Sequence, residues 1–194
     1  MNNFTVSAIY TTVLANYNTF LSKWKQKVDI QTLFPKLPDF DKARWQQVFN
    51  YSIDSAADRD FTAYVAVSNN KPCGVISYLH NGINNIFIDG ICSIPVDTDK
   101  KVPFVGTTLI YQAFKDAQAK NSKEIILDAV NNGPFNIIEK YKSFGFKINS
   151  VGDKYTNMRC KERQRDEQLK NLEKIIDYIP CESEENIDLT QFID

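Results

Sequence analysis

Three stretches hold residues whose types and spacing could do chemistry. Ile86 to Ile94 reads as an isoleucine-rich strand carrying one carboxylate, Asp89. A charge in so apolar a strand needs water, a partner or a function, because burying it alone is costly. Pairing with a lysine, or facing solvent at a sheet edge, accounts for Asp89 as well as a proton-accepting role does. The second stretch is Gly106-Thr107-Thr108, at the expected start of a helix and just after Lys100 and Lys101. Helix N-termini present unpaired N–H groups and a partial positive charge, which suits phosphate. The stretch matches neither the G-x-G-x-x-G fingerprint of dinucleotide folds nor a Walker loop, which requires Gly-Lys-Ser/Thr. Taken alone, a glycine near a helix start is ordinary punctuation more often than a phosphate cradle. The third is Tyr141, four residues ahead of Gly145-Phe146. On spacing alone it reads as an amphipathic residue with its hydroxyl in water.

Other chemistries find little support. The single histidine, His80, rules out a multi-histidine metal site. A Ser-His-Asp or Cys-His triad would rest on this one residue, which lies beside the Asn81-Gly82 turn signal and reads as a strand end. The four cysteines, Cys73, Cys92, Cys160 and Cys181, are widely spaced and form no metal-ligand pairs. Three of them sit in apolar stretches, as buried free thiols do. No metal is expected. With 23 basic and 24 acidic residues the net charge is -1, so nothing draws the chain toward nucleic acid or an anionic membrane. No apolar run approaches the roughly 20 residues that cross a bilayer. The opening Met-Asn-Asn-Phe-Thr lacks a basic start and an apolar signal core, so a cytoplasmic location is expected.

The elements that must position these residues follow from periodicity. The 194 residues are 43% hydrophobic, enough for one domain with a sizeable core. Phe4 to Ile9 reads equally as a short strand or as the start of a helix. Tyr10, Val13, Leu14, Tyr17, Phe20, Leu21, Trp24 and Val28 then recur at helical steps. Prolines 35 and 38 break that helix, and Asp39 is placed to cap a second one reaching Ile53. Tyr64 to Val67 and Gly74 to Leu79 form a hairpin, followed by the Ile86 to Ile94 strand. Within that strand Gly90 marks a bulge or a close approach, and by simple alternation Phe87, Ile91 and Ser93 share the face of Asp89. Val105 to Lys120 is a helix, and Glu124 to Val130 a buried strand. Phe135 to Phe144 is a short helix stopped by Gly145, and Phe146 to Ser150 and Tyr155 to Cys160 are closing strands. A last helical stripe runs through Leu169, Leu172, Ile175, Ile176 and Ile179 to Pro180. The order predicts an α/β (α+β) fold whose central sheet is mixed and partly parallel.

The segment Glu139-Lys140-Tyr141-Lys142-Ser143-Phe144-Gly145-Phe146, set behind that strand, loop and helix, resembles the GCN5-related N-acetyltransferase (GNAT) superfamily. The resemblance covers about residues 60 to 160 in element order, and the first two helices fit the acceptor side. It implies a GNAT-like sheet flanked by helices, with an extra C-terminal helix, and acetyl-CoA (coenzyme A) as cosubstrate. It places on Tyr141 the tyrosine whose hydroxyl protonates the leaving thiolate. In that family a carboxylate, or water held by one, commonly takes the amine's proton. Asp89 is the only carboxylate on the central strand. The resemblance further implies coenzyme A contacts from Ile91, Cys92, Ser93, Ile94, Lys101, Val105, Gly106, Thr107, Thr108 and Asn131. The pyrophosphate loop departs from the family pattern. Lys101 and Gly106 keep the first and last positions, but Phe104 stands where a glycine is usual and Pro103 removes an N–H. Asn131 and Asn132 also stand further ahead of Tyr141 than the family's asparagine.

Two functions fit. One is an active N-acyltransferase acting on a small-molecule, peptide or protein amine, with Trp24, Trp45 and Tyr51 as candidate walls of the acceptor site. The other is a GNAT-fold binding or regulatory module without turnover, for which Pro103 and Phe104 speak. No nucleic acid or membrane partner is expected, and a homodimer is allowed. The implied organisation is an acyltransferase domain over 1–160, a helix over 161–180 packed on it or on a partner, and an acidic, mobile tail over 181–194.

Overall fold

Alternating apolar residues make the strands, and three- and four-residue apolar steps make the helices that cover them. The computed structural model describes residues 4–9, 14–68, 71–82, 84–94, 104–132, 136–176 and 178–180. In chain order these form β1 (Phe4–Ile9), α1 (Leu14–Lys27), α2 (Ile30–Leu33), α3 (Asp39–Ala57) and β2 (Thr62–Ser68). There follow β3 (Lys71–Asn81), β4 (Asn85–Ser93), α4 (Val105–Ala119), β5 (Glu124–Val130) and α5 (Ile137–Ser143). The chain closes with β6 (Lys147–Val151), β7 (Tyr155–Lys161), α6 (Glu162–Leu172) and β8 (Tyr178–Pro180). One sheet collects all eight strands in the order β6-β7-β5-β4-β3-β2-β1-β8. It is mixed: β4 runs parallel to β5 and β1 parallel to β8, while the other pairs are antiparallel. The segment Phe4 to Ile9, open between two readings in the sequence, is therefore a strand.

Each face of the sheet has its own core. On one face α4 and α6 bring Leu109, Phe114, Leu169 and Leu172 against Tyr78, Ile86, Ile88, Ile125 and Leu127. On the other, α1 and α3 bring Phe20, Trp24, Trp45, Phe49 and Ile53 against Val65, Val75 and Cys92. Cys73, Cys92 and Cys160 are buried free thiols, as expected.

Several sequence expectations change. Pro38, not Asp39, is the N-cap of α3. It offers no side-chain cap, and Asp39 lies in the first turn, where its charge suits the helix dipole. The C-terminal helix is shorter than its apolar stripe. It ends at Leu172, and Ile179 instead lies in β8, paired with Thr5 of β1. A pair of apolar residues ahead of a proline, here Tyr178 and Ile179, can extend as a strand when a free sheet edge is available. The α6 helix packs on this chain's own α4, tied by Lys115 to Glu173 at 3.7 Å. The acidic tail over 181–194 lies outside the described residues.

The largest correction concerns β4. Its burial alternates without a break from Asn85 to Cys92. Its pairing with β3 slips, however: Ser77 faces Gly90 and Tyr78 faces Ile88, leaving Asp89 as the extra residue. This bulge switches faces. Ile86 and Ile88 belong to the α4 side, whereas Cys92 belongs to the α3 side. Ile91 packs on the α4 side, opposite to Asp89. The expectation that Ile91 and Ser93 share the face of Asp89 fails for that reason, and Phe87, ahead of the bulge, keeps it. Gly90 does mark both a bulge and a close approach, but the approaching group is α3. A Cβ at Gly90 would lie 2.8 Å from the Cα of Ser52.

Candidate functional site

The parallel ladder between β4 and β5 is short. It starts at Asn85 and Glu124 and ends at Ile88 and Leu127, although β4 continues to Ser93 and β5 to Val130. Beyond the bulge the strands part, and a cleft of about 860 Å³ opens between them. Its walls are Asp89 to Ser93 and Leu127 to Val130. From the α4 side it is closed by Val105, Gly106 and Thr107 and by Ile137, Lys140, Tyr141 and Phe144. From the α3 side Arg44, Trp45, Gln47, Val48, Tyr51 and Ser52 overhang it, with Tyr155 of β7 also lining it. The cleft thus has two sides, each served by different helices.

Asp89 sits at the point of parting, on the α3 side. Tyr51 donates its hydroxyl to Oδ1 at 2.9 Å, and Ser55 donates to Oδ2 at 2.6 Å. Ser77 in turn donates to the Ser55 hydroxyl at 2.8 Å. The bulge is what aims Asp89 and Gly90 together at α3, so that Ser52 can close on the glycine while Ser55 reaches the carboxylate. Partial burial, then the hydrogen bond to and charge of Asp89, push the Tyr51 hydroxyl up to about 12. Tyr51 therefore stays a donor at neutral pH.

Tyr141 reaches the cleft from the other side. Asn136 caps α5 by accepting from the Glu139 N–H at 3.4 Å, and Gly145 ends it at φ +86°. The Tyr141 ring is 7% exposed and packs edge-on against Phe146, 5.8 Å between centroids. Burial, with a smaller contribution from nearby Cys92, holds its hydroxyl well above the ordinary tyrosine value. The Tyr141 side chain lines the cleft with its proton kept at neutral pH. Burial pushes the Cys92 thiol up to about 12, with a hydrogen bond from Trp45 working weakly the other way.

The start of α4 is open where the sequence expects phosphate. A Cβ on Gly106 would meet nothing within 4 Å. Phe104, the residue standing in for a glycine, is the N-cap and adopts φ 65°, ψ 6°, a left-handed conformation that glycine reaches without strain. Its ring is 58% exposed and lines the cleft.

Of the residues expected to contact coenzyme A, the structure gathers Ile91, Cys92, Ser93, Val105, Gly106 and Thr107 on the cleft. It does not bring Ile94, Thr108 or Asn131 there. Ile94 is buried and donates its N–H to Cys73. The Thr108 hydroxyl donates to the Phe104 carbonyl at 3.1 Å. The Asn131 amide is spent on the turn between β6 and β7. It donates to the carbonyls of Gly152 and Asp153 and accepts from Thr156. Lys101 and Pro103 lie outside the described residues. Among the proposed aromatic walls, Trp45 and Tyr51 line the cleft, whereas Trp24 is buried between Phe20 and Phe49. Sequence reasoning missed Arg44, Gln47 and Ser55. Their signal was positional: with Val48 and Tyr51 they follow one face of α3.

The sequence matches no protein-family model and no curated protein. Solved structures are more informative. Aminoglycoside 6'-acetyltransferase type Ii aligns with 80% of this chain and 96% of its own, at TM-score 0.55 and 16% identity. Tetrahymena GCN5 aligns over 82% and 95%, at TM-score 0.53 and 17% identity. The PaiA N-acetyltransferase from Thermoplasma acidophilum, in complex with coenzyme A, aligns over 82% and 99%, at TM-score 0.52 and 16% identity. The chain has the GNAT fold. Within this fold β4 and β5 part, the open start of α4 lies on one side of the sheet, and α3 lies on the other.

Proposed function

We propose that the chain is an acyl-CoA-dependent N-acetyltransferase that moves an acetyl group to a primary amine by direct attack. The observation that carries this reading is the cleft between β4 and β5, with Tyr141 on one side and a doubly hydrogen-bonded Asp89 on the other. The GNAT neighbours, one of them holding coenzyme A, support it.

In this reading the pantetheine arm lies along β4 from Asp89 to Ser93, where no strand occupies the β5 side. An extended chain with amides can pair with such an edge as a strand would. The diphosphate lies at the start of α4, against amides of residues 105 to 107. The amine enters from the α3 side as an ammonium and loses one proton to Asp89, which passes it to solvent. Its lone pair attacks the thioester carbonyl, the C–N bond forms, and the C–S bond breaks. The departing thiolate takes a proton from Tyr141, and the second proton that the nitrogen sheds in becoming an amide restores the tyrosine through solvent. A second reading, a GNAT-fold module that binds without turnover, is favoured by one feature: Phe104, a side chain in a left-handed position where amides should approach phosphate closely.

Isothermal titration with acetyl-CoA separates the two, followed by thiol release in the presence of an amine panel. Saturable binding with amine-dependent release of free thiol supports the enzyme. Binding without any release, across aliphatic, aromatic and peptide amines, supports the binding module.

A further inference from the structure

The side of α3 that overhangs the cleft carries Arg44, Val48 and Tyr51 at successive helical steps. Arg44 is the one cation that α3 contributes to the cleft, and it has no ion pair among the described residues. Its Nε is buried and has no hydrogen-bond partner. Among the described residues its one hydrogen bond is from Nη1 to the Gln47 side chain at 3.5 Å. A buried donor left unpaired is costly, and such groups are rare without a ligand, ion or water to satisfy them. Two helical turns along, Tyr51 holds Asp89 at the point where the strands part. One side of the cleft therefore offers a carboxylate at one end and an unpaired guanidinium at the other.

We propose that the acceptor is an amine that also carries a carboxylate, with its nitrogen at Asp89 and its carboxylate on Arg44. This rests on the acetyltransferase reading above and names its substrate class. A guanidinium presents Nε and an Nη as a fork that fits two carboxylate oxygens. Arg44 and Tyr51 are seven residues apart, so their backbones are separated by roughly 10 Å along the helix. The acceptor's nitrogen and carboxylate are then several bonds apart, as in an ω-amino acid, and not joined through one carbon as in an α-amino acid. A phosphate monoester would call for a second cation on this side, and α3 supplies none. The cosubstrate is served from α4 and α5, across the sheet, so Arg44 is free for the acceptor.

The test uses the full chain with acetyl-CoA and a series of ω-amino acids from three to eight carbons, each paired with the alkylamine of equal length. In the parent, kcat/KM for the best ω-amino acid should exceed that of its alkylamine by about 10- to 100-fold, the range of a charged hydrogen bond. Arg44→Ala should erase the difference through KM and leave acetyl-CoA affinity unchanged. Arg44→Glu should reverse it, favouring an α,ω-diamine over the ω-amino acid, a gain that a misfolded variant cannot show. Equal rates for the paired amines overturn the proposal, as does acetylation of no member of the series by a protein that binds acetyl-CoA. Loss of acetyl-CoA affinity in Arg44→Ala also overturns it, because Arg44 would then serve the cosubstrate. If the parent does not bind acetyl-CoA at all, the acetyltransferase reading itself falls, and this assignment with it.

Discussion

Asp89 and Gly90 are consecutive residues of β4, and both face α3. The carboxylate of Asp89 accepts from Ser55 at 2.6 Å, while the place of a Gly90 side chain is taken by the backbone of Ser52. In a regular strand neighbours face opposite sides. The bulge against Ser77 and Tyr78 breaks that rule and ends the β4–β5 ladder one residue earlier, at Ile88. One irregularity thus sets Gly90 beside the candidate base on the α3 side, seats the helix that holds it and coincides with the end of the ladder at the cleft.

Gly90 should accordingly tolerate no side chain. Its Cβ would meet Ser52 Cα at 2.8 Å and Ser77 Oγ at 2.9 Å, and the first of these is backbone. Gly90→Ala should destabilise the fold by about 1–3 kcal/mol, the usual cost of overpacking. Denaturant titration measures this. Gly106→Ala, where a Cβ meets nothing, is the control and should leave stability within about 0.5 kcal/mol.

Tyr141→Phe removes a hydroxyl that makes no hydrogen bond to a described residue, so the fold should be kept. The chemical rate should fall by about 10²- to 10⁴-fold, the scale of general acid catalysis. Acetyl-CoA affinity should barely move, because the lost contact belongs to the transition state. Single-turnover kinetics read the chemical step directly. An unchanged rate would make the tyrosine a packing residue against Phe146.

Asp89→Asn keeps the shape of the side chain and removes the proton acceptor. It should lower kcat/KM by about 10²- to 10⁴-fold, the scale of general base catalysis. Tyr51→Phe takes away one of the two donors that hold Asp89, and should produce a smaller loss. Steady-state kinetics of the three proteins separate the base from the residue that positions it.

Phe104→Gly relieves a left-handed residue at the N-cap of α4. That conformation costs an ordinary side chain roughly 1–2 kcal/mol, offset in part by the chain entropy glycine brings to the unfolded state. Thermal stability should hold or rise slightly. Acetyl-CoA should bind more tightly, because the exposed ring no longer stands beside Gly106. Weaker binding in this variant would mean that the ring itself contacts the ligand.

Alkaline pH should unfold the protein through its thiols. Burial pushes Cys73, Cys92 and Cys160 up to about 12, from an ordinary value of 9.0. Below pH 9 both states keep their protons and stability is unaffected. Between pH 9 and 12 the unfolded chain releases them while the folded chain does not, so stability falls as pH rises. Chemical denaturation at stepped pH should show that decline. Cys73→Ala, with one such thiol fewer, should show a shallower slope.

Much of this was legible in the residues, for a physical reason. Whether a position is buried leaves a local imprint, since apolar side chains repeat with the period of their own element. Tyr64 to Val67, Gly74 to Leu79, Ile86 to Ile94 and Glu124 to Val130 all carry that imprint, and all are strands of one sheet. Gly145 closes α5 because only the chain's own backbone has to accept its φ of +86°. What the imprint lacks is the identity of the neighbour. Buried residues recur every second position along β4, so nothing in its period reveals that Ile88 faces α4 and Cys92 faces α3. Ile179 carries the same apolar signal in a helix or in a strand, and only the free edge of β1 decided for the strand. Asn131 could serve a ligand or a turn, and the carbonyls of Gly152 and Asp153, distant in sequence, claimed it. The sequence by itself determined which segments form and which sides they bury. Tertiary structure alone decided that Tyr51 and Ser55 meet Asp89, that Tyr141 stands across from it, and that the Arg44 Nε has no hydrogen-bond partner among the described residues, because each depends on contacts between residues far apart in the chain.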